Sequence, residues 1–126
     1  MDYKKICCDM ISRYPMLQIA AVNLTKRIED LQKRSSDLDC RAEAAVLMGN
    51  LDRTKREITW VEDGLSVLSE CDREILTVFC TADRGSRSRA IDEVGVKYGY
   101  EKSALYMHKD KALKLFALAV FGAIDV

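Results

Sequence analysis

Apolar residues recur at alternating spacings of three and four through much of the first half of the chain, and this pattern restricts the fold to packed helices. The first run comprises Leu17, Ala21, Leu24, Ile28 and Leu31. Such spacing places every member on one stripe of a helix, and another helix has to cover that stripe. Strands would need apolar residues at every second position, a pattern that is almost absent from this chain.

A second run with the same spacing follows after a polar break. Its members are Ala44, Leu47, Leu51, Thr54, Ile58, Val61, Leu65 and Leu68. The intervening segment 35–39, Ser-Ser-Asp-Leu-Asp, favours a turn. Two striped helices joined by a short polar loop predict an antiparallel hairpin, because each helix covers the stripe of the other. Gly49, inside the second helix, is expected to permit a close crossing or to mark a bend.

Proline and glycine leave the ends of these helices open to two interpretations. Either a short helix over residues 2–12 ends and a new one begins near Pro15, or one kinked helix continues through Pro15. Gly64 is expected to end the second helix. We therefore place the domain boundary near Leu65, with a helical hairpin over residues 1–66 and a C-terminal domain over residues 67–126.

Shorter helices are predicted in the C-terminal domain. Ser69 followed by Asp72 resembles a capping box, which indicates that a helix starts there. A polar loop, a short helix, a one-residue turn and a long final helix are predicted next, at residues 81–89, 90–98, 99 and 101–121. The tail 115–124 is apolar almost all round, so it has to be buried on several sides.

Composition argues against several classes of protein. The five cysteines form no C-x-x-C pair and His108 is the only histidine, so neither a zinc site nor a disulfide scaffold is predicted. With one histidine and no glycine loop after a strand, we expect no enzyme, no metal and no cofactor. No apolar run reaches membrane length and the N-terminus lacks a signal peptide, so the predicted location is cytoplasmic.

One short motif in the second half has the features of a DNA-binding helix-turn-helix. That motif needs a small residue in its first helix and a glycine or similar residue in its turn, because the two helices touch closely. Gly95 and Gly99 stand at these two places. The apolar wedge between the helices is predicted to consist of Val94, Tyr98, Tyr100 and Leu105.

The residues around this motif resemble region four of bacterial sigma factors. The segment LSECDREIL, residues 68–76, is similar to the opening helix of that region, with Leu68, Arg73, Ile75 and Leu76 at the matching positions. The segment KALKLF, residues 111–116, resembles the residues that follow the recognition helix of the family. The resemblance implies an all-α fold that ends in a helix-turn-helix of sigma region-four type.

The chain as a whole also resembles small phage-encoded transcriptional regulators of the ArpU type. Those proteins join a helical N-terminal segment to a sigma-like C-terminal helix-turn-helix. The resemblance implies a regulator of transcription from a phage or prophage of a Gram-positive bacterium. The expected partner is double-stranded DNA, with RNA polymerase and a second copy of the chain as further candidates.

Polar residues near the motif are the candidate DNA contacts. They are Arg84, Arg87, Arg89, Lys102, Ser103, Tyr106 and Lys109. Lysine or serine at a helix start can reach base edges, tyrosine can bind the backbone, and the arginines can hold phosphates. Residues 84–114 contain eight Lys and Arg against four Asp and Glu, whereas residues 1–68 contain eleven of each. This surplus of basic residues is small, so the other interpretation is that these charges form a solvated surface that binds no ligand.

Three features complicate the DNA interpretation. The resemblance leads us to expect Ser or Thr at the cap of the last helix, but this chain has Glu101, whose carboxylate repels phosphates. His108 is expected either at the edge of the core or at a phosphate. The formal net charge is zero, which favours the alternative of a protein-interaction module docking on RNA polymerase or another phage protein. Tyr14, Trp60 and the apolar tail are candidates for a dimer surface or for simple core.

Overall fold

A computed structural model describes residues 2–34, 37–83 and 85–123. Across these residues the chain forms five α-helices and no strand, which confirms the all-α class. The helices are α1 (Tyr3–Gln32), α2 (Leu38–Ser66), α3 (Glu70–Thr81), α4 (Arg87–Tyr98) and α5 (Lys102–Phe121). In the described ranges, none of these helices has the length and hydrophobicity needed to cross a membrane.

The two long helices, α1 and α2, continue through Pro15 and Gly64 respectively. Helix α1 contains Pro15 in its interior, so the interpretation of one continuous helix is the right one. A proline inside a helix removes one backbone hydrogen bond, and α1 continues through Pro15 despite that loss. The prediction that Gly64 ends α2 is wrong, because α2 extends to Ser66. Gly64 lacks the positive φ with which a glycine usually ends a helix.

The chain forms two compact units that do not follow one another along the sequence. The inner unit is Arg13–Thr59, and the outer unit combines Met1–Ser12 with Trp60–Val126. Helices α1 and α2 each contribute residues to both units. The predicted division of the chain after residue 66 stays a prediction about which part folds independently.

In the inner unit, two ion pairs connect α1 to α2. Arg13 Nη2 lies 3.0 Å from Glu57 Oε2, and Arg27 Nη2 lies 3.0 Å from Glu43 Oε1. Moving fourteen residues forward along α1 therefore moves fourteen residues back along α2, so the two helices run antiparallel here. Both predicted stripes are at least half-buried in this unit, with Ile28, Leu31 and Ala44 the most enclosed.

The outer unit holds most of the buried apolar side chains. Ser69 caps α3, accepting a hydrogen bond from the Asp72 backbone N–H at 3.2 Å, as the sequence predicted. Phe116 of α5 is fully buried, and it fills the space beside Gly64 of α2. Further along α5 the ring of Phe121 lies 5.1 Å from that of Tyr3. Of the apolar tail only Phe116 and Ala117 are buried, and Leu115, Leu118 and Phe121 are exposed, so the prediction of burial on several sides is wrong; residue 124 lies outside the described residues.

We predict that Gly64→Ala destabilises the protein by about 1–3 kcal/mol, because the new methyl group would overpack the core. A Cβ at residue 64 would lie 2.5 Å from Phe116 Cε2 and 2.8 Å from Val120 Cγ2. Thermal unfolding followed by circular dichroism measures the loss.

Gly49→Ala is the matched control, because it makes the same exchange inside the same helix. A Cβ at residue 49 would meet nothing within 4 Å, so a close crossing does not explain this glycine. Alanine there is expected to stabilise α2 by about 1 kcal/mol. Equal effects of the two substitutions would contradict the packing described for Gly64.

Candidate nucleic-acid interface

A left-handed glycine ends α4 and turns the chain into α5. Gly99 has φ 71° and ψ 31°, a conformation that side chains with a Cβ adopt with strain. Its backbone N–H bonds to the Gly95 carbonyl, and the Tyr100 N–H bonds to the same oxygen at 2.9 Å. Glu101 is the only residue between Tyr100 and the first residue of α5. The turn is therefore short and its geometry is fixed by its own backbone.

Gly95 lets α4 and α5 approach each other closely. A Cβ at this position would lie 3.0 Å from Leu105 Cδ1 and 3.0 Å from the Tyr100 carbonyl oxygen. Both distances are tighter than ordinary van der Waals contact, so a larger residue would push α5 away from α4. Gly95 thus lies at a close contact between α4 and α5.

The predicted apolar wedge lies between these helices. Val94 and Leu105 are buried in one cluster with Ile75 of α3 and Ile91 of α4. Tyr98 and Tyr100 pack against that cluster, as do Cys71, Val78 and Phe79. Helix α3 therefore supports the underside of the α4–α5 pair and leaves the start of α5 in solvent.

Most of the candidate contact residues on α5 share one side of the helix. Lys102 and Ser103 are exposed in the first turn. Tyr106 lies one turn further, and its ring centroid lies 5.0 Å from that of Phe79 in an edge-to-face arrangement. Lys109 follows by another turn, and its Nζ lies 5.6 Å from the ring centroids of both Phe79 and Tyr106. Lys109 also contacts Asp110 at 3.0 Å, so this lysine is partly occupied by packing.

The charges of Arg87 and Lys109 act on the same pair of thiols, those of Cys8 and Cys80. The pKa of Cys8 is lowered to about 7, mainly because the Cys80 thiol donates a hydrogen bond to it, and the charges of Lys109 and Arg87 lower it further. The same hydrogen bond raises the pKa of Cys80, since that thiol holds its proton more firmly. The charges of Arg87, the first residue of α4, and of Lys109 on α5 therefore both act on these thiols.

Arg89 and Lys102 border a different surface. Two adjoining open grooves of about 650 and 460 Å³ follow the outer side of α4, and both are lined by Asp92 and Val96. Arg89 lines the first groove and Lys102 lines the second. Acidic groups surround both basic residues, since Glu93 pairs with Arg89 at 3.8 Å and Glu101 precedes Lys102.

The structure thus separates the candidate contacts into two groups. Arg87 and Lys109 both act on the Cys8–Cys80 thiols and Tyr106 lies beside Lys109, whereas Arg89 and Lys102 line the grooves beside α4, with Ser103 exposed next to Lys102. Arg84 lies outside the described residues. Glu101 is the N-cap residue of α5, and no hydrogen bond from its side chain caps the helix.

Sequence reasoning missed a buried carboxylate that binds the single histidine. Asp72 is 6% exposed, and its Oδ1 lies 2.7 Å from His108 Nδ1. The ring of His108 also stacks on Tyr100, with 4.5 Å between centroids. His108 therefore lies at the edge of the core, where it satisfies Asp72 and joins α3 to α5. The capping box predicts a hydrogen bond of the Asp72 backbone only. Nothing in the local sequence indicates that the Asp72 side chain binds His108.

A second network between α3 and α4 was also missed. Glu74 accepts hydrogen bonds from the Tyr98 hydroxyl and from Lys97 Nζ, the latter at 2.9 and 3.0 Å to its two oxygens. The hydrogen bond from Tyr98, followed by that from Lys97, lowers the pKa of Glu74. Lys97 is therefore engaged in holding α4 on α3.

Neither metal chemistry nor a disulfide appears in this part of the molecule. Over residues 2–34, 37–83 and 85–123, no group of three or more His, Cys, Asp or Glu side chains is arranged to hold a metal ion. All five cysteines are free thiols.

No protein-family model, curated protein or solved structure matches this chain. The resemblance to sigma region four and to ArpU-type regulators therefore stays a prediction from the motifs, and the function has to be argued from geometry.

We predict that His108→Ala destabilises the protein by about 1–3 kcal/mol, because it leaves the buried Asp72 carboxylate without its partner. Asp72→Ala is expected to cost a similar amount, whereas the double substitution should cost clearly less than the sum of the two. Lys111→Ala, an exposed position on the same helix, is the control and should change little. Additive losses in thermal unfolding would show that the two side chains do not interact.

Proposed function

We propose that this protein is a DNA-binding transcriptional regulator, encoded by a phage or prophage, that reads duplex DNA with α5. In this proposal α4, the turn at Gly99 and α5 form a helix-turn-helix of sigma region-four type. Helices α1 and α2 supply an N-terminal antiparallel hairpin. The motif resemblance motivates the proposal, and the packing of α4 against α5 supports it.

The observation that carries the proposal is the close contact at Gly95, together with the exposure of the first turn of α5. A recognition helix has to present its N-terminal residues to base edges while its other side is held by the helix before it. Lys102 and Ser103 are exposed in that first turn, and Leu105 between α4 and α5 is buried. Side chains of this kind can donate to base edges and phosphates.

The side of α5 that carries Tyr106 and Lys109 favours a backbone contact. Tyr106 is exposed there, and its hydroxyl can donate to a phosphate; the charge of Lys109 beside it adds attraction, although Lys109 also pairs with Asp110. Local positive charge matters because the chain has no net charge to attract nucleic acid.

A second candidate function is docking on RNA polymerase or another protein. Val96 is 85% exposed between the two grooves beside α4, and Asp92, Glu93 and Glu101 line them. An exposed apolar side chain rimmed by carboxylates fits a basic, apolar protein surface better than it fits DNA phosphates.

We predict that Lys102→Glu weakens binding to a specific DNA site by about tenfold or more, because a charge at a base or phosphate contact is reversed. Tagged protein is incubated with sheared genomic DNA from the source organism, and the captured fragments are sequenced. Fluorescence anisotropy on an enriched fragment then gives the affinity and its dependence on salt.

Lys111→Glu is the matched control, because it makes the same charge change on an exposed lysine of the same helix. Residue 111 follows residue 102 by about 2.5 helical turns, so it lies on the opposite side of α5. We prefer Lys102 to Lys109 for this test, since Lys109 also packs on two aromatic rings. Equal losses from both variants would mean that α5 does not read the site. If no fragment is enriched, the DNA proposal is wrong, and Val96→Asp is then tested for loss of polymerase binding.

A further inference from the structure

The inner unit, Arg13–Thr59, exposes more large apolar side chains than it buries. Among its described residues only Ile28, Leu31 and Ala44 are buried apolar positions. Six large apolar side chains are instead exposed: Met16, Ile19, Val22, Leu38, Val46 and Met48. Two helices with a single narrow seam make a weak core, and four-helix bundles solve this by covering a second face.

Both helices of the inner unit lack charge over the same stretch of their length. Residues 14–25 of α1 and residues 44–51 of α2 contain no Asp, Glu, Lys or Arg. The register of the two ion pairs places residues 19–25 opposite residues 45–51, with Val22 level with Met48, whereas residues 14–18 lie opposite the charged segment 52–56. A helix segment that is uncharged all round is typical of burial on more than one side.

An open groove follows one face of this pair of helices. Val22, Thr25, Lys26 and Glu29 line a cavity of about 430 Å³ on α1. A second cavity of about 250 Å³ shares Thr25 and Glu29 and is lined on the α2 side by Met48 and Asp52. We call the surface formed by Val22, Thr25, Lys26, Glu29, Met48 and Asp52 the groove face.

The charges on the groove face favour a copy of itself over a charged ligand. Within the groove face, Glu29 and Asp52 supply two carboxylates and Lys26 supplies one ammonium group. Lys55 follows Met48 by seven residues, so it lies on the same side of α2 and adds a second ammonium group beside the groove face. A two-fold axis brings one surface patch onto the same patch of a second molecule. A patch with equal numbers of both signs can then place acidic groups against basic ones. DNA or an acidic peptide would meet no surplus of positive charge.

The groove face lies on a side of the inner unit whose dimensions suit a dimer. Two helices side by side are about 20 Å wide, and the part of α1 in the inner unit is about 30 Å long. The projected area of roughly 600 Å² is close to the ~800 Å² of accessible surface that each partner buries in a standard interface.

We propose that the groove face binds the groove face of a second copy, so that two inner units form an antiparallel four-helix bundle. Val22 and Met48 lie at its centre, and Lys26, Glu29, Asp52 and Lys55 lie at its rim. The proposal does not depend on DNA binding, and it is tested without DNA.

Sedimentation velocity on the full chain over a range of concentrations tests this proposal. Wild-type protein is expected at twice the chain mass of 14.3 kDa. Met48→Glu should raise the dissociation constant by more than about tenfold, because a charge would enter the apolar centre. Met48→Ala keeps a strong helix former and should weaken the dimer with its helical content intact, which circular dichroism checks.

Met107→Glu is the matched control, because it makes the same exchange at a methionine of α5 that is even more exposed, at 72% against 47% for Met48. It should leave the dimer unchanged. A monomer at every concentration would overturn the proposal. So would a dimer that survives both substitutions at Met48, or one that dissociates only with Met107→Glu.

Discussion

The close approach of α4 to α5 at Gly95 is the constraint on which the proposed binding surface depends. With no side chain at Gly95, Leu105 fills the space between the helices and reaches Ile75 and Ile91 below them. The left-handed Gly99 then fixes how abruptly the chain reverses. Because α3 holds both helices from beneath, through Glu74 to α4 and through Asp72 to α5, the first turn of α5 is presented on a rigid support.

Much of this fold follows from local sequence patterns, and those parts could be predicted. Stripes with spacings of three and four gave the helical class, and Ser69 gave the start of α3, because periodicity and capping involve residues within one or two turns. The same holds for Gly95 and Gly99. The role of Gly64 could not be predicted, because it makes room for the ring of Phe116, which is distant in sequence. The partner of Asp72 was missed for the same reason, since His108 is 36 positions away.

The candidate contacts show how tertiary structure redistributes charges that look alike in sequence. Lys97 holds Glu74, Lys109 lies over two aromatic rings, and Arg89 faces carboxylates, so three of the basic residues near the motif already have intramolecular partners. Charge counts treat these residues as equal. Lys102, at the start of α5, is exposed. Its ammonium group is therefore more accessible to a ligand than that of Lys109, which packs over two aromatic rings.

The discontinuity of the outer unit has a consequence for how the chain folds during synthesis. Its first segment, Met1–Ser12, is separated from the rest by the whole inner unit. The inner unit has only local connections, and the ion pair between Arg13 and Glu57 closes its two ends together. It can therefore form early and shorten the loop that separates the two parts of the outer core, which lowers the entropic cost of joining them. The outer core also needs the buried Phe116, so it can close only after α5 has been synthesised, well after the inner unit is complete.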